Sequence, residues 1–136
     1  MLEAYEQQKI HLVTSEITLN EIKQYQGTSR KAVERTFRLL ARVPVVRWDE
    51  LVGMNVYTDR YTCFNSPIIE NDPLYDGLLK LGLKETDARH VFVAAKNDCD
   101  CVLTCDRGVL SRSEAIRAQC RVTVLKPSEL VAEHQW

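Results

Sequence analysis

The stretch at residues 86–110, T-D-A-R-H-V-F-V-A-A-K-N-D-C-D-C-V-L-T-C-D-R-G-V-L, decides the fold of this chain. Its first half predicts a helix, because apolar residues recur there at helical spacing: Ala88, Val91, Phe92 and Ala95. Thr86 is the predicted cap of this helix, and Asp87 in its first turn suits the helix dipole. The polar pair Asn97 and Asp98 is expected to end it.

The second half of the stretch predicts a buried strand that ends near an acid. Residues 101–104 form a short apolar run of strand length, and Asp106 follows at the carboxyl end of that run. In open sheets of α/β proteins, ligands bind outside the carboxyl ends of the strands. Asp106 is therefore well placed for chemistry.

The composition indicates one cytoplasmic domain over residues 1–136. Hydrophobic residues make up 45% of the positions and charged residues 27%, which is ordinary for a globular protein. A net charge of −1 creates no overall field that attracts nucleic acid, so any RNA contact must use a local basic patch. No apolar run approaches the length of a membrane span, and the acidic N-terminus lacks the apolar segment of a signal peptide. We therefore expect no membrane partner.

The five cysteines, an odd number, argue against a disulfide framework in a cytoplasmic chain. Those at positions 99, 101 and 105 are close in sequence, but they lack the Cys-x-x-Cys spacing and the neighbouring His residues of a zinc site. Buried, reduced thiols are the expectation.

The remaining chain alternates predicted strands and helices. Extended segments are predicted at residues 10–13, 43–48 and 122–125. Helices are predicted at residues 2–9, from a capping box at Thr18 to about Tyr25, from Thr28 or Ser29 to about Ala41, at 74–81, at 111–119 with Ala115 and Ile116 inward, and from Pro127. Residues 49–71 support no assignment. Such alternation predicts an α/β fold, a three-layer sandwich with a mostly parallel central sheet.

Four basic residues share one face of the third predicted helix. Lys31, Arg35, Arg38 and Arg42 are spaced four, three and four residues apart, which places them in one stripe. The stripe favours a solvated helix face, and the alternative is a wall that binds phosphates or an acidic partner segment. These four residues are therefore candidate nucleic-acid-binding residues.

Three carboxylates are predicted to meet at one edge of the sheet: Glu21, Asp87 and Asp106. Right-handed crossovers bring the carboxyl ends of parallel strands to the same edge. Each acid also has a purely structural reading, as the capping-box partner of Thr18, a helix-dipole acid and a turn former, respectively. Three acids at one rim repel one another, and a divalent ion would compensate, as Mg²⁺ does with one or two carboxylates, waters and phosphate oxygens. Thr104 is placed to orient Asp106 or an attacking water.

Several motifs resemble those of PIN domains: V-T-S-E-I-T-L-N-E-I at residues 13–22, D-A-R-H-V-F-V-A-A at 87–95, V-L-T-C-D-R-G-V-L at 102–110 and V-T-V-L-K-P-S-E-L at 122–130. The resemblance implies a Mg²⁺- or Mn²⁺-dependent endoribonuclease acting on RNA, including the toxin subunits of the Vap toxin–antitoxin pairs, whose partner is an antitoxin protein. It implies that Glu21, Asp87 and Asp106 are catalytic and metal-site acids, that Thr104 is the catalytic hydroxyl beside them, and that Ser15 supports them.

One departure from that family pattern concerns the N-terminus. PIN domains begin with a strand that ends in Asp, whereas this chain begins in the helix that follows it, so the first strand of the sheet and its acid are missing. A truncated reading frame, a strand supplied by another chain, as in a homodimer, or closure of the remaining strands would each account for this. Two hypotheses follow: a metal-dependent endoribonuclease, or a non-catalytic PIN-like module that binds RNA or a partner.

Overall fold

Parallel strand pairs connected through helices form the framework of the chain, which we describe from a computed structural model. The structure describes residues 2–25, 27, 29–46 and 72–134. Contacts divide the chain into two units, Met1–Trp48 and Asp49–Trp136. The expected single domain over residues 1–136 stays a prediction. None of the described helices is both long and apolar enough to cross a bilayer.

The first unit contains a two-stranded parallel sheet and three described helices. In chain order its elements are α1 (Leu2–Glu6), β1 (Thr14–Ser15), α2 (Glu16–Gln24), α3 (Arg30–Leu40) and β2 (Val45–Val46). Strands β1 and β2 pair in parallel, with Thr14 opposite Val45 and Ser15 opposite Val46. Thr14 and Ser15 are buried, so the short sheet lies inside this unit.

The second unit holds the stretch that decides the fold. Its described elements are α4 (Pro73–Lys80), α5 (Glu85–Lys96), β3 (Cys101–Leu103), α6 (Arg107–Leu110), α7 (Ser113–Cys120), β4 (Thr123–Leu125) and α8 (Pro127–His134). Strands β3 and β4 pair in parallel with Val102 opposite Val124, and the N–H of Thr104 extends the ladder to the carbonyl of Leu125 at 3.0 Å. The carboxyl ends of both strands therefore lie at one edge.

Helices α4 and α5 form an antiparallel hairpin. The carboxylate of Asp72 accepts a hydrogen bond from the N–H of Leu74 at 2.8 Å and so caps α4. The same carboxylate lies 3.1 Å from Nζ of Lys96, at the far end of α5. Within the hairpin, the rings of Tyr75 and Phe92 pack edge to face with centroids 6.0 Å apart. The loop between the helices therefore lies at the opposite end of the hairpin from Asp72.

The core of the second unit is made by one face of each helix and by the sheet. Helix α4 packs on α5 and α7, and α7 packs on β4. The side chains in these contacts are almost fully buried: Tyr75, Leu78, Ala88, Val91, Phe92, Ile116, Val122 and Val124. The apolar spacing of residues 86–110 is confirmed for Ala88, Val91 and Phe92, because these positions share the face of α5 that meets the core.

The predicted alternation of strands and parallel pairing is confirmed in its coarse form, as a mixed α/β fold. Each described unit holds two parallel strands. The finer prediction, one mostly parallel central sheet in a three-layer sandwich, stays a prediction. Of the predicted extended segment at 43–48, residues 43–46 are described, and β2 lies at Val45–Val46. The unassigned segment at 49–71 lies outside the described residues.

Several local predictions were wrong in position. The strand predicted at residues 10–13 lies instead at Thr14–Ser15. Helix α2 is capped by Ser15, whose Oγ accepts from the N–H of Thr18 at 3.2 Å, so the predicted cap at Thr18 lies inside the helix. The start of the long helix is also earlier than predicted, since Lys84 rather than Thr86 holds the capping position.

Helix α7 differs from the prediction in its bounds and in one of its two predicted buried residues. Ile116 is fully buried as predicted, but Ala115 is exposed. The helix begins at Ser113 and ends at Cys120, where Arg121 adopts a left-handed conformation with φ of 63°. Neighbouring residues on a helix point in directions roughly 100° apart, and on α7 the direction of Ile116 meets the core whereas that of Ala115 meets solvent.

Replacement of Asp72 tests the cap of α4. We expect Asp72→Ala to lower the free energy of unfolding by about 1 kcal/mol, because the N–H of Leu74 loses its partner. Asp72→Asn keeps a good capping side chain and loses only the exposed ion pair with Lys96, which is typically worth roughly 0.2–1 kcal/mol. Equal stability of wild type and Asp72→Ala in urea titrations would contradict this role.

The pH dependence of the same pair has a defined direction. Burial acts to raise the pKa of Asp72, but the hydrogen bonds from Lys96 and from the N–H of Leu74 outweigh it and hold the pKa below the ordinary value. Because the folded-state pKa is depressed, the ion pair stabilises the fold above the ordinary aspartate pKa and loses its effect as the pH falls below about 4. The stability difference between wild type and Asp72→Asn should therefore shrink in urea titrations below that pH.

Candidate active site

Asp106 lies at the carboxyl end of β3 and begins helix α6. Its Oδ1 accepts hydrogen bonds from the N–H groups of Gly108 at 2.7 Å and Val109 at 3.1 Å. A Cβ on Gly108 would lie 2.9 Å from this oxygen, so a larger residue there would require the carboxylate to shift. Within the described part of the chain, the structure gives no hydrogen bond to Oδ2. The cap therefore fixes the carboxylate through Oδ1.

Thr104 supports the loop that carries Asp106. Its Oγ1 accepts a hydrogen bond from the N–H of Asp106 at 3.0 Å, while its own N–H continues the sheet ladder to Leu125. The hydroxyl thus links the end of the strand to the backbone of the acid. The sequence pattern predicted that Thr104 lies inside the strand and beside Asp106. In the structure β3 ends one residue earlier, at Leu103, and Thr104 still lies beside Asp106.

Asp87 and Asp106 line one cleft of about 440 Å³. Asp87 stands in the first turn of α5, and α5 leads into β3 through the short connection at residues 97–100. Because α5 returns antiparallel to the strand that follows it, the start of the helix lies level with the carboxyl end of the strand. The two predicted acids of the second unit are therefore brought together on one surface.

The cleft also carries three cations that no sequence motif indicated: Lys84, Arg107 and Arg112. Lys84 and Arg107 are exposed, and Arg112 is half-buried. Cations beside carboxylates reduce their mutual repulsion and attract phosphate groups. Their sequence signal was weak because each lies in a different element or turn, and only the tertiary fold assembles them.

Glu21, the third predicted acid, lies in the first unit. It is the sixth residue of α2 and exposed, rather than a first-turn residue, since α2 begins at Glu16. Ser15, predicted as a support of the acids, caps α2. Among the residues that the structure describes, no three His, Cys, Asp or Glu side chains come close enough to surround a metal ion.

The four residues of the basic stripe are all exposed. Lys31, Arg35 and Arg38 lie on α3, and Arg42 lies in the turn after it, where its carbonyl accepts a hydrogen bond from Oη of Tyr5 at 3.3 Å. Their guanidinium and ammonium groups are therefore presented to solvent from one element of the first unit.

The described cysteines differ from the predicted buried thiols, and Cys63 lies outside the described residues. Cys105 is exposed and lines both the acidic cleft and a neighbouring cleft of about 700 Å³ that also includes Ser113, Lys126 and Glu129. Cys99 and Cys101 are half-buried. Burial raises the pKa of both thiols, and for Cys99 the adjacent Asp100 and Asp98 act in the same direction. These two side chains are therefore protonated at neutral pH.

The cap formed by Asp106 can be tested separately from any chemistry. Asp106→Ala should lower the free energy of unfolding by about 1 kcal/mol, because the N–H groups of Gly108 and Val109 lose their acceptor. Asp106→Asn retains an acceptor oxygen and should cost less than half of that. Urea titration measures both, and a larger loss in the Asn variant than in the Ala variant would contradict the capping geometry.

Comparison with known proteins adds no assignment to this geometry. Models of known protein families, curated proteins and solved structures were all compared with the chain, and none matches it. The function is therefore argued from the residues that line the cleft.

Proposed function

We propose that this chain is a metal-dependent endoribonuclease of the PIN-domain type, with a three-layer α/β architecture, that hydrolyses RNA phosphodiesters. The observation that carries the proposal is the placement of Asp87 and Asp106, from two different elements, on one cleft at the carboxyl end of β3. The resemblance of residues 13–22, 87–95, 102–110 and 122–130 to PIN motifs supports the same reading. It also makes an antitoxin protein the expected partner.

In this proposal Asp87 and Asp106 would hold a Mg²⁺ or Mn²⁺ ion. Mg²⁺ in proteins usually takes one or two carboxylates and completes its shell with waters and phosphate oxygens. Asp106 offers an oxygen outside its cap, and Asp87 lies on the same lining. A bound ion would lower the pKa of a water and stabilise the leaving oxygen of the phosphodiester.

The protein groups have separate tasks in this proposal. The N–H groups of Gly108 and Val109 hold the carboxylate of Asp106 in one orientation, so that a ligand meets a preformed oxygen. The hydroxyl of Thr104 accepts from the backbone of Asp106, which leaves its hydrogen for a water or a phosphate oxygen. Lys84 and Arg107 are exposed on the cleft and would attract the RNA backbone.

A second candidate function is RNA or partner binding without cleavage. It is favoured by the exposed basic stripe of α3, which lies on a different unit from the cleft. Binding through phosphates needs only positive charge at suitable spacing and no metal. The two candidates are distinguished by whether Mn²⁺ binds and whether RNA is cut.

Metal binding and cleavage test the first candidate. We expect Mn²⁺ to bind the purified protein in calorimetry and to be required for cleavage of single-stranded RNA. Asp106→Asn and Asp87→Asn remove a ligand charge and should lower Mn²⁺ affinity by at least the roughly 10–100-fold seen for changes in outer-shell partners.

The matched control is Asp98→Asn. Asp98 lies beyond the other end of α5, is exposed and has φ of 53°, a conformation that Asn adopts readily. This variant should bind Mn²⁺ and cut RNA like wild type. Unchanged cleavage in Asp106→Asn would show that the proposed site is wrong, and Mn²⁺ binding without cleavage would favour the second candidate.

The basic stripe predicts a salt-dependent loss of RNA binding. In the double variant Arg35→Gln and Arg38→Gln, RNA affinity should fall, and the slope of log affinity against log salt should decrease by about 0.7 for each phosphate that is no longer neutralised. Lys23→Gln, an exposed lysine on α2, is the control. Fluorescence anisotropy over a salt series measures both, and an unchanged slope would assign the stripe to a solvated face.

A further inference from the structure

The guanidinium of Arg112 bridges two segments that are distant along the chain. Its Nε donates to the carbonyl oxygen of Leu81 at 2.8 Å, across 31 residues, and its Nη1 donates to the carbonyl oxygen of Gly108 at 2.7 Å. Nη1 also lies 3.3 Å from Oγ of Ser111. One side chain therefore holds the end of α4 and the turn of α6 in a fixed relation.

These two segments are the ones that deliver the acids of the cleft. Leu81 ends α4 and is followed by the short link to α5, whose first turn contains Asp87. Gly108 donates its own N–H to Oδ1 of Asp106 while its carbonyl accepts from Arg112. A shift of either carbonyl would therefore move an acid relative to the other.

The guanidinium of Arg112 lies close to the backbone of Gly82. Gly82 has φ of +82°, and a Cβ at that position would lie 3.2 Å from Nη2 of Arg112. The acceptor at Leu81 lies at the C-terminal end of α4, where a positive charge is favourable. Lysine carries the same charge but has no planar fork, so it cannot hold two carbonyls at fixed separation.

We infer that Arg112 is the positioning residue of the acidic cleft: its two backbone hydrogen bonds hold in place the segments that bring Asp87 and Asp106 to one cleft, where the proposed function places a divalent ion. The part of this inference that concerns ion binding rests on the proposed function. The part that concerns geometry rests on the two hydrogen bonds of Arg112. Arg112 acts through Leu81 and Gly108 rather than by touching the ion.

The test compares Arg112→Gln, Arg112→Lys and the matched control Arg117→Gln, an exposed arginine on α7. Three measurements are made on each: thermal unfolding, amide hydrogen exchange at residues 82–87 and 106–110, and Mn²⁺ affinity by calorimetry. We expect Arg112→Gln to speed exchange in both segments and to weaken Mn²⁺ binding by about tenfold or more. Arg112→Lys should recover only part of both effects, and Arg117→Gln should match wild type.

Each of the other outcomes contradicts one part of the inference about Arg112. Unchanged exchange in either segment of Arg112→Gln would show that the bridge does not hold it. Faster exchange with unchanged Mn²⁺ affinity would overturn the positioning role while leaving the nuclease proposal intact. Full recovery by Arg112→Lys would assign the effect to charge rather than to the fork. If Arg112→Gln does not fold, Arg112→Lys supports the same comparison.

Failure of the proposed function gives a different pattern. In that case wild type itself binds no Mn²⁺, and the inference about ion binding falls with it. The exchange measurements still report whether Arg112 joins the two segments, because they depend on no ligand.

Discussion

The parallel pairing of β3 with β4 is the constraint on which the second unit depends. Parallel strands cannot be joined by a tight turn, so the chain between them must cross back along the sheet. Helices α6 and α7 make that crossing, and α7 packs on β4. Both strands then end at the same edge, and every loop that follows or precedes them on that side contributes to one surface.

Helix α5 places Asp87 on that surface because it runs against β3. The antiparallel hairpin of α4 and α5 is fixed at its far end by Asp72 and Lys96 and in its interior by Tyr75 and Phe92. At its near end, the turn with Gly82 meets the guanidinium of Arg112. Contacts at both ends of the hairpin and in its interior thus hold the cleft in place.

Asp106 combines a structural and a chemical capacity in one carboxylate. One oxygen satisfies two N–H groups at the start of α6, and hydrogen bonds to an ionised acceptor are stronger than those to a neutral one. A carboxylate anchored in this way has little freedom left to lose when it binds a ligand. The role of Asp106 was hard to judge from sequence, because one aspartate can both form a turn and bind a ligand.

The element types were predictable where periodicity was strong, and the boundaries were not. The apolar face of α5 and the strands β3 and β4 follow from spacing and short apolar runs. The errors at Thr18 and Thr86 have different causes. Several Ser and Thr residues near the start of α2 can each cap it, and packing chooses among them, whereas α5 begins after Lys84, which makes no side-chain cap hydrogen bond. In α2 the buried Ser15 is chosen, because the strand before it fixes where the helix begins.

The sequence by itself determined that the chain is a mixed α/β protein, that α5 buries one face, and that an acid follows a strand at Asp106. Only the tertiary structure decided that Asp87 shares its cleft, that Lys84, Arg107 and Arg112 line the same surface, and that Arg112 joins Leu81 to Gly108. The physical reason is that local patterns specify the face and the type of each element, whereas contacts across 31 residues depend on how those elements pack.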